Sequence, residues 1–100
     1  LLDDRVMSLV ADDEQNLWIA TFGAGLFKYH LGTGKIIQFT KDLNNQNSLS
    51  SNAISKLKQL SSGDLAIATF GGGLNILSKD GTFTHYSATS KGTSSLLVGD

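Results

Sequence analysis

The sequence predicts an all-β chain folded as two four-stranded antiparallel meanders, and three observations carry that prediction. The ten residues Leu17–Leu26, LWIATFGAGL, return at Leu65–Leu74 as LAIATFGGGL, 48 positions later and with all but two residues identical. Eleven glycines and no proline leave the turns to glycine, Asn, Asp and Ser, the residues of tight strand connections. No window of a dozen residues keeps the i, i+3, i+4, i+7 apolar stripe of an amphipathic helix free of glycine.

The elements follow in order. Arg5–Val10 is short and β-rich, and the polar cluster Asp12-Asp13-Glu14-Gln15-Asn16 after it suits a hairpin turn. Leu17–Thr21 reads as a second strand, Gly23-Ala24-Gly25 as a turn, Leu26–His30 as a third strand, Gly32-Thr33-Gly34 as a turn and Lys35–Thr40 as a fourth strand. The second unit repeats this grammar with strands at Ile54–Leu60, Leu65–Thr69, Leu74–Ser78 and Thr82–Ser87. Its turns at Ser61–Asp64, Gly71–Gly73 and Lys79–Gly81 fall at the matching places. Between the units, KDLNNQNSLSSN is too long and too polar for a hairpin loop and suits a crossing from one meander to the next.

Leu17 and Ile19 point to one side of their strand and Trp18 and Ala20 to the other, so both faces of the sheet are apolar. Sheets with two apolar faces stack between neighbours, and a repeat of about 40 to 50 residues is the length of one propeller blade. The prediction is therefore two β-propeller blades. Residues 1–41 form the first blade, 42–52 the inter-blade linker, 53–88 the second blade and 89–100 a linker toward a third. Two copies fall short of the roughly three that such arrays need for stability. No Met opens the chain either, so the expectation is a fragment of a larger propeller. An isolated pair of blades is expected to self-associate through the faces and edges that neighbouring blades would cover.

Composition narrows the function. A formal charge of −1 with scattered Lys and Arg gives no basic stripe for nucleic acid or an anionic membrane. No apolar run approaches the roughly 20 residues of a membrane span, and no charged start precedes an apolar core as in a secretion signal. With no cysteine, neither disulfides nor thiolate metal sites arise within these residues.

The pattern of a strand, an acidic or glycine turn, Leu-Trp-Ile-x-Thr, a glycine turn and Leu-x-x-Tyr resembles the two-component regulator propeller repeat. The residues carrying it are Leu17, Trp18, Ile19, Thr21, Gly23, Gly25, Leu26 and Tyr29, with Leu65, Ile67, Thr69, Gly71, Gly73 and Leu74 in the second copy. The linker Asn47–Asn52 before Ala53-Ile54 is similar to that family's inter-blade connection. Ala66 and Leu77 depart from the pattern, which has Trp and Tyr at those places. The resemblance implies a periplasmic or extracytoplasmic sensor region of a bacterial membrane-bound signalling protein. It also implies paired seven-bladed propellers ahead of a transmembrane helix and a histidine kinase or diguanylate cyclase output, with oligosaccharides as ligands of several relatives.

No set of residues spells out catalysis. Gly23-Ala24-Gly25 and Gly71-Gly72-Gly73 lack the third glycine and the following helix of a dinucleotide loop, and read as structural turns built on Gly23, Gly25, Gly71 and Gly73. Gly34-Lys35 lacks the Ser or Thr of a nucleoside-triphosphate loop. Asp12, Asp13 and Glu14 lack the alternating spacing of a calcium loop, and read as a solvated turn. His30 and His85 sit on non-equivalent strands without partners at metal-ligand spacing. No metal, cofactor or nucleophile is assigned.

Trp18 sits mid-strand, which favours packing between blades over stacking on a sugar. Phe22 and Phe70 differ, since each stands directly before a glycine turn. In a four-strand meander that turn and the connection after the fourth strand emerge at one end, which would gather Phe22, Phe70, Arg5, Asp4, Asn44, Asn45, Asn47 and Asn52. Of these, Phe22, Phe70, Arg5, Asn52, Asn45 and Asn47 are the candidate ligand-binding residues, offering the aromatics and amides that fix polar ligands. The leading expectation is a non-catalytic sensor segment binding an oligosaccharide or another small polar ligand. One rival is a quinoprotein-dehydrogenase-like enzyme, since Thr33-Gly34-Lys35 is similar to that blade motif but lacks its docking Trp. The other is a protein interaction scaffold.

Overall fold

A computed structural model describes residues 5–86. It contains eight strands: β1 (Val6–Ala11), β2 (Asn16–Thr21), β3 (Leu26–His30), β4 (Ile36–Phe39), β5 (Ile54–Gln59), β6 (Leu65–Thr69), β7 (Leu74–Leu77) and β8 (Phe83–Tyr86). They form two four-stranded antiparallel sheets in the orders β1-β2-β3-β4 and β5-β6-β7-β8, two successive blades. The repeat extends to irregularities, because β1 shifts register between Val6 and Ser8 and β5 shifts between Ile54 and Lys56, 48 positions on.

Strand alternation sorts each sheet into two faces. In blade 1, Val10, Trp18, Ala20, Leu26 and Phe39 face blade 2; in blade 2, Leu57, Leu65, Ile67, Leu77 and Phe83 face back. These residues, with Ile54 and the linker residue Leu49, make one core between the sheets. Ile67, Leu26 and Ile54 are fully buried at its centre. Phe39 bridges the blades, with its ring centroid 6.0 Å from both Trp18 and Phe83. At the inner edge, the Leu57 backbone N–H donates to the Ser8 hydroxyl at 3.1 Å, so a side chain of one blade satisfies the open strand edge of the next.

The linker is pinned to the blade that follows it. Asn75, wholly buried on β7, accepts a hydrogen bond from the Ser50 backbone N–H at 2.9 Å and donates from its amide to the Ser50 hydroxyl at 2.8 Å. The Ser50 hydroxyl in turn donates to the Gly72 carbonyl at 2.7 Å. This close approach explains one of the two differences within the ten-residue echo. A Cβ at Gly72 would lie 2.6 Å from the Ser50 oxygen and 2.9 Å from the Ser51 Cβ, so the place held by Ala24 in blade 1 takes glycine in blade 2.

Candidate functional site

Each glycine turn is locked by the threonine that ends the strand before it. The Thr21 hydroxyl donates to the Gly25 carbonyl at 2.8 Å and accepts from the Ala24 N–H at 3.0 Å, closing the loop over Phe22. Thr69 makes the same pair of bonds to Gly73 and Gly72, at 2.7 and 3.1 Å. With their backbones held this way, Phe22 and Phe70 turn outward, 49% and 47% exposed. Their rings meet edge-to-face across the blade boundary at a centroid distance of 5.1 Å, a geometry worth about 0.5–1.5 kcal/mol.

Two other candidates border this pair through their backbones. The Phe22 N–H donates to the Arg5 carbonyl, and the Gly23 and Gly25 N–H groups both donate to the Asn52 carbonyl at 3.1 and 3.0 Å. The Asn52 side chain accepts from the Lys41 N–H, bracing the two ends of the linker against each other. Arg5, Asn52, Phe22 and Phe70 therefore share one end of the blades.

Asn45 and Asn47 are engaged elsewhere. Asn47 donates to the Gly81 carbonyl at 3.3 Å and accepts from the Phe83 N–H at 2.7 Å, at the start of β8. Asn45 accepts from the Asn47 N–H at 3.0 Å. Their amides hold backbone on the outer flank, where the linker dips beside Phe39 and Phe83. The expectation that a meander brings every linker amide to the Phe22 end misses that dip, which depends on pairings 34 and 36 residues apart.

The opposite end holds a feature the sequence did not announce. Asp12 is the hub of its hairpin: its carboxylate accepts from the Glu14 and Asn16 N–H groups, the Asn16 amide and the Trp18 indole, the last at 3.0 Å. Lys28 lies over the Trp18 ring, its Nζ 5.3 Å from the centroid. Beyond them a cleft of about 140 Å³ opens between the blades, with Gln59, Leu65, Leu77 and Lys79 on its far wall. The Gln59 Oε1 is buried without a hydrogen-bond partner among the described residues. The visible signal was the spacing of Asp12 and Trp18, two residues lost together in blade 2, where Leu60 and Ala66 stand in their places.

Desolvation pushes the Asp12 pKa up, but the hydrogen bonds from Asn16, Trp18 and Glu14 outweigh it, and the net shift is downward from the ordinary carboxylate value. A carboxyl depressed in the folded state adds stability above its unfolded pKa and loses it as pH falls through the folded one. Urea midpoints are expected to fall on acidification between about pH 6 and pH 2, with a shallower fall in Asp12→Asn. Equal slopes for the two proteins would refute the role of this carboxylate.

Among the described residues no group of three or more His, Asp or Glu is placed to hold a metal ion. The first 23 residues match the two-component regulator propeller family model. A search of curated proteins returns no match. Among solved structures the chain is similar to the extracellular domain of BT3049 from B. thetaiotaomicron, described as a hybrid two component system, with a TM-score of 0.80 and 24% identity over 86% of the chain. It is also similar to the extracellular domain of BT4673 from the same organism, with TM-scores of 0.65 and 0.66 and identities of 23% and 21% over 74% and 90% of the chain. The chain spans only 12%, 10% and 11% of those three structures. In its repeat, its blade order and the match of its first 23 residues, the chain is similar to the two-component regulator propeller repeats.

Proposed function

We propose that the chain is a ligand-sensing, non-catalytic stretch of the extracytoplasmic region of a bacterial membrane-bound signalling protein. On this reading the Phe22 end faces an oligosaccharide or a similar polar ligand. The observation that carries it is the half-exposed Phe22–Phe70 pair, set by the same threonine lock in both blades. Half-exposed aromatic rings on a rigid backbone offer a flat apolar surface to a sugar face at little conformational cost. The resemblance to extracellular sensor domains supports the location and the class of function.

Saturation-transfer NMR of the chain with an oligosaccharide library tests this. Transfer is expected between the sugar and the Phe22 and Phe70 rings, with about tenfold weaker binding in Phe22→Ala, the loss typical of a modest contact residue. Absence of transfer to either ring, or unchanged binding in a folded Phe22→Ala variant, would sink the proposal.

A further inference from the structure

The cleft between the hairpin ends of the two blades gathers polar groups that the fold leaves unused. Asp12 is not among them, since four donors already occupy its carboxylate. Asp13, Glu14, Lys28 and Lys79 line the same cleft and form no ion pair among the described residues. Both signs of charge therefore stay available in one small space. The Gln59 amide donates to the Gly63 carbonyl at 3.2 Å, while its Oε1 is buried and accepts nothing from the described residues. A buried amide oxygen without a donor is costly, and it marks a place where a donor arrives from outside the chain.

The turn that Gln59 grips also seats a cation. Gly63 has φ of +95°, and a Cβ there would collide with the Lys79 side chain, whose Nζ would lie 2.7 Å from it. An orphaned acceptor and an ammonium head thus flank one turn. Apolar surface adjoins them, because Leu65, Leu77 and Trp18 line the same cleft. With Asp12 counted, three carboxylates stand against two ammonium groups in the lining, a near balance that favours a zwitterion over a ligand of high net charge. Size points the same way. A cavity of about 150 Å³ takes a six-carbon ring, and the cleft, at about 140 Å³, matches an amino acid with a few side-chain carbons.

We infer that this inter-blade cleft is a second ligand site, one for a free α-amino acid with a small apolar side chain. The ammonium donates to Gln59 Oε1, the carboxylate meets Lys79, and the side chain lies against Leu65, Leu77 and Trp18. Asp13 and Glu14 add negative potential that favours the ammonium. The cleft is at the opposite end of the blades from Phe22, so the site stands whether or not that end binds a sugar.

Trp18 is the single Trp of the chain and lines the cleft, so its fluorescence reads the filling of the site. Titration of the chain with L-valine is expected to change that fluorescence saturably at millimolar concentrations. N-acetyl-L-valine amide, which lacks both charges, is expected to leave it unchanged. Gln59→Leu and Lys79→Met are each expected to weaken binding about tenfold, the loss of one hydrogen bond to a charged group. Circular dichroism checks the fold of each variant, and if Gln59→Leu does not fold, Lys79→Met, at an exposed position, decides. The inference is overturned by the absence of a saturable change with L-valine, by an equal change with the blocked amide or with glucose, or by a Lys79→Met protein that binds as before.

Discussion

Trp18→Ala is expected to remove about 3–5 kcal/mol of stability, the range for deleting a large aromatic from a core. Domains of this size hold roughly 5–15 kcal/mol in all, so the variant sits near the edge of folding. Trp18 is 8% exposed, inside the layer where the two blades meet, and its ring contacts reach Phe39 of its own sheet and Lys28 above it. Its loss also strips the Asp12 carboxylate of the indole donor. Urea unfolding read by far-ultraviolet circular dichroism checks this, since the chain has a single Trp and fluorescence vanishes with it. Trp18→Phe keeps most of the buried area and loses the donor, so it is expected to cost about 1–3 kcal/mol. A Trp18→Ala protein as stable as the parent would show that the blades do not depend on their shared layer.

Gly25→Ala is expected to cost about 2–5 kcal/mol, combining left-handed backbone strain with overpacking. Gly25 has φ of +83°, and a Cβ there would run into the Phe39 carbonyl oxygen, with the Thr40 methyl at 3.3 Å. The residue is also a junction: its N–H donates to Asn52 and its carbonyl accepts from both the Thr21 N–H and hydroxyl. Displacing it disturbs the turn and the linker at once. Gly34, with φ of +77° and open space where its Cβ would be, isolates the backbone term. Gly34→Ala is expected to cost only about 1–2 kcal/mol. Equal losses in the two variants, measured by urea unfolding, would show that the close approach to Phe39 contributes nothing.

The strands and glycine turns were legible in the sequence because both follow from local pattern. Period-two alternation fixes the faces, and the chain supplied the same pattern twice. That Trp18 packs between blades was legible from its mid-strand place, but with both sheet faces apolar the blade it would meet was not. The fates of Asn45 and Asn47 were not, since an amide in a polar linker carries no mark of which distant carbonyl it will meet. Nor was the role of Asp12, whose four donors converge only once the hairpin at Gln15, φ +65°, has folded back. Blade 2 has Gly63 at the place of Gln15, so the positive φ there could be read from one copy and not from the other. Likewise, the exchange of Ala24 for Gly72 carries no sign in the sequence of the approach of Ser50 and Ser51 that it records.

The linker divides into two halves with different obligations. From Asn47 to Ser51 the chain is committed to the blade that follows, through the Asn47, Ser50 and Ser51 side chains and the Ser48 carbonyl, and the Asn52 carbonyl takes the turn beside it. At the tip, Leu43 is 88% exposed, and its neighbours Asp42 and Asn45 bond only to residues of the linker itself. Surface tips of this kind are where chains accept added or lost residues. The linker therefore has an elastic joint upstream of Asn47, where the repeat can drift in length from copy to copy without changing how its blades stack.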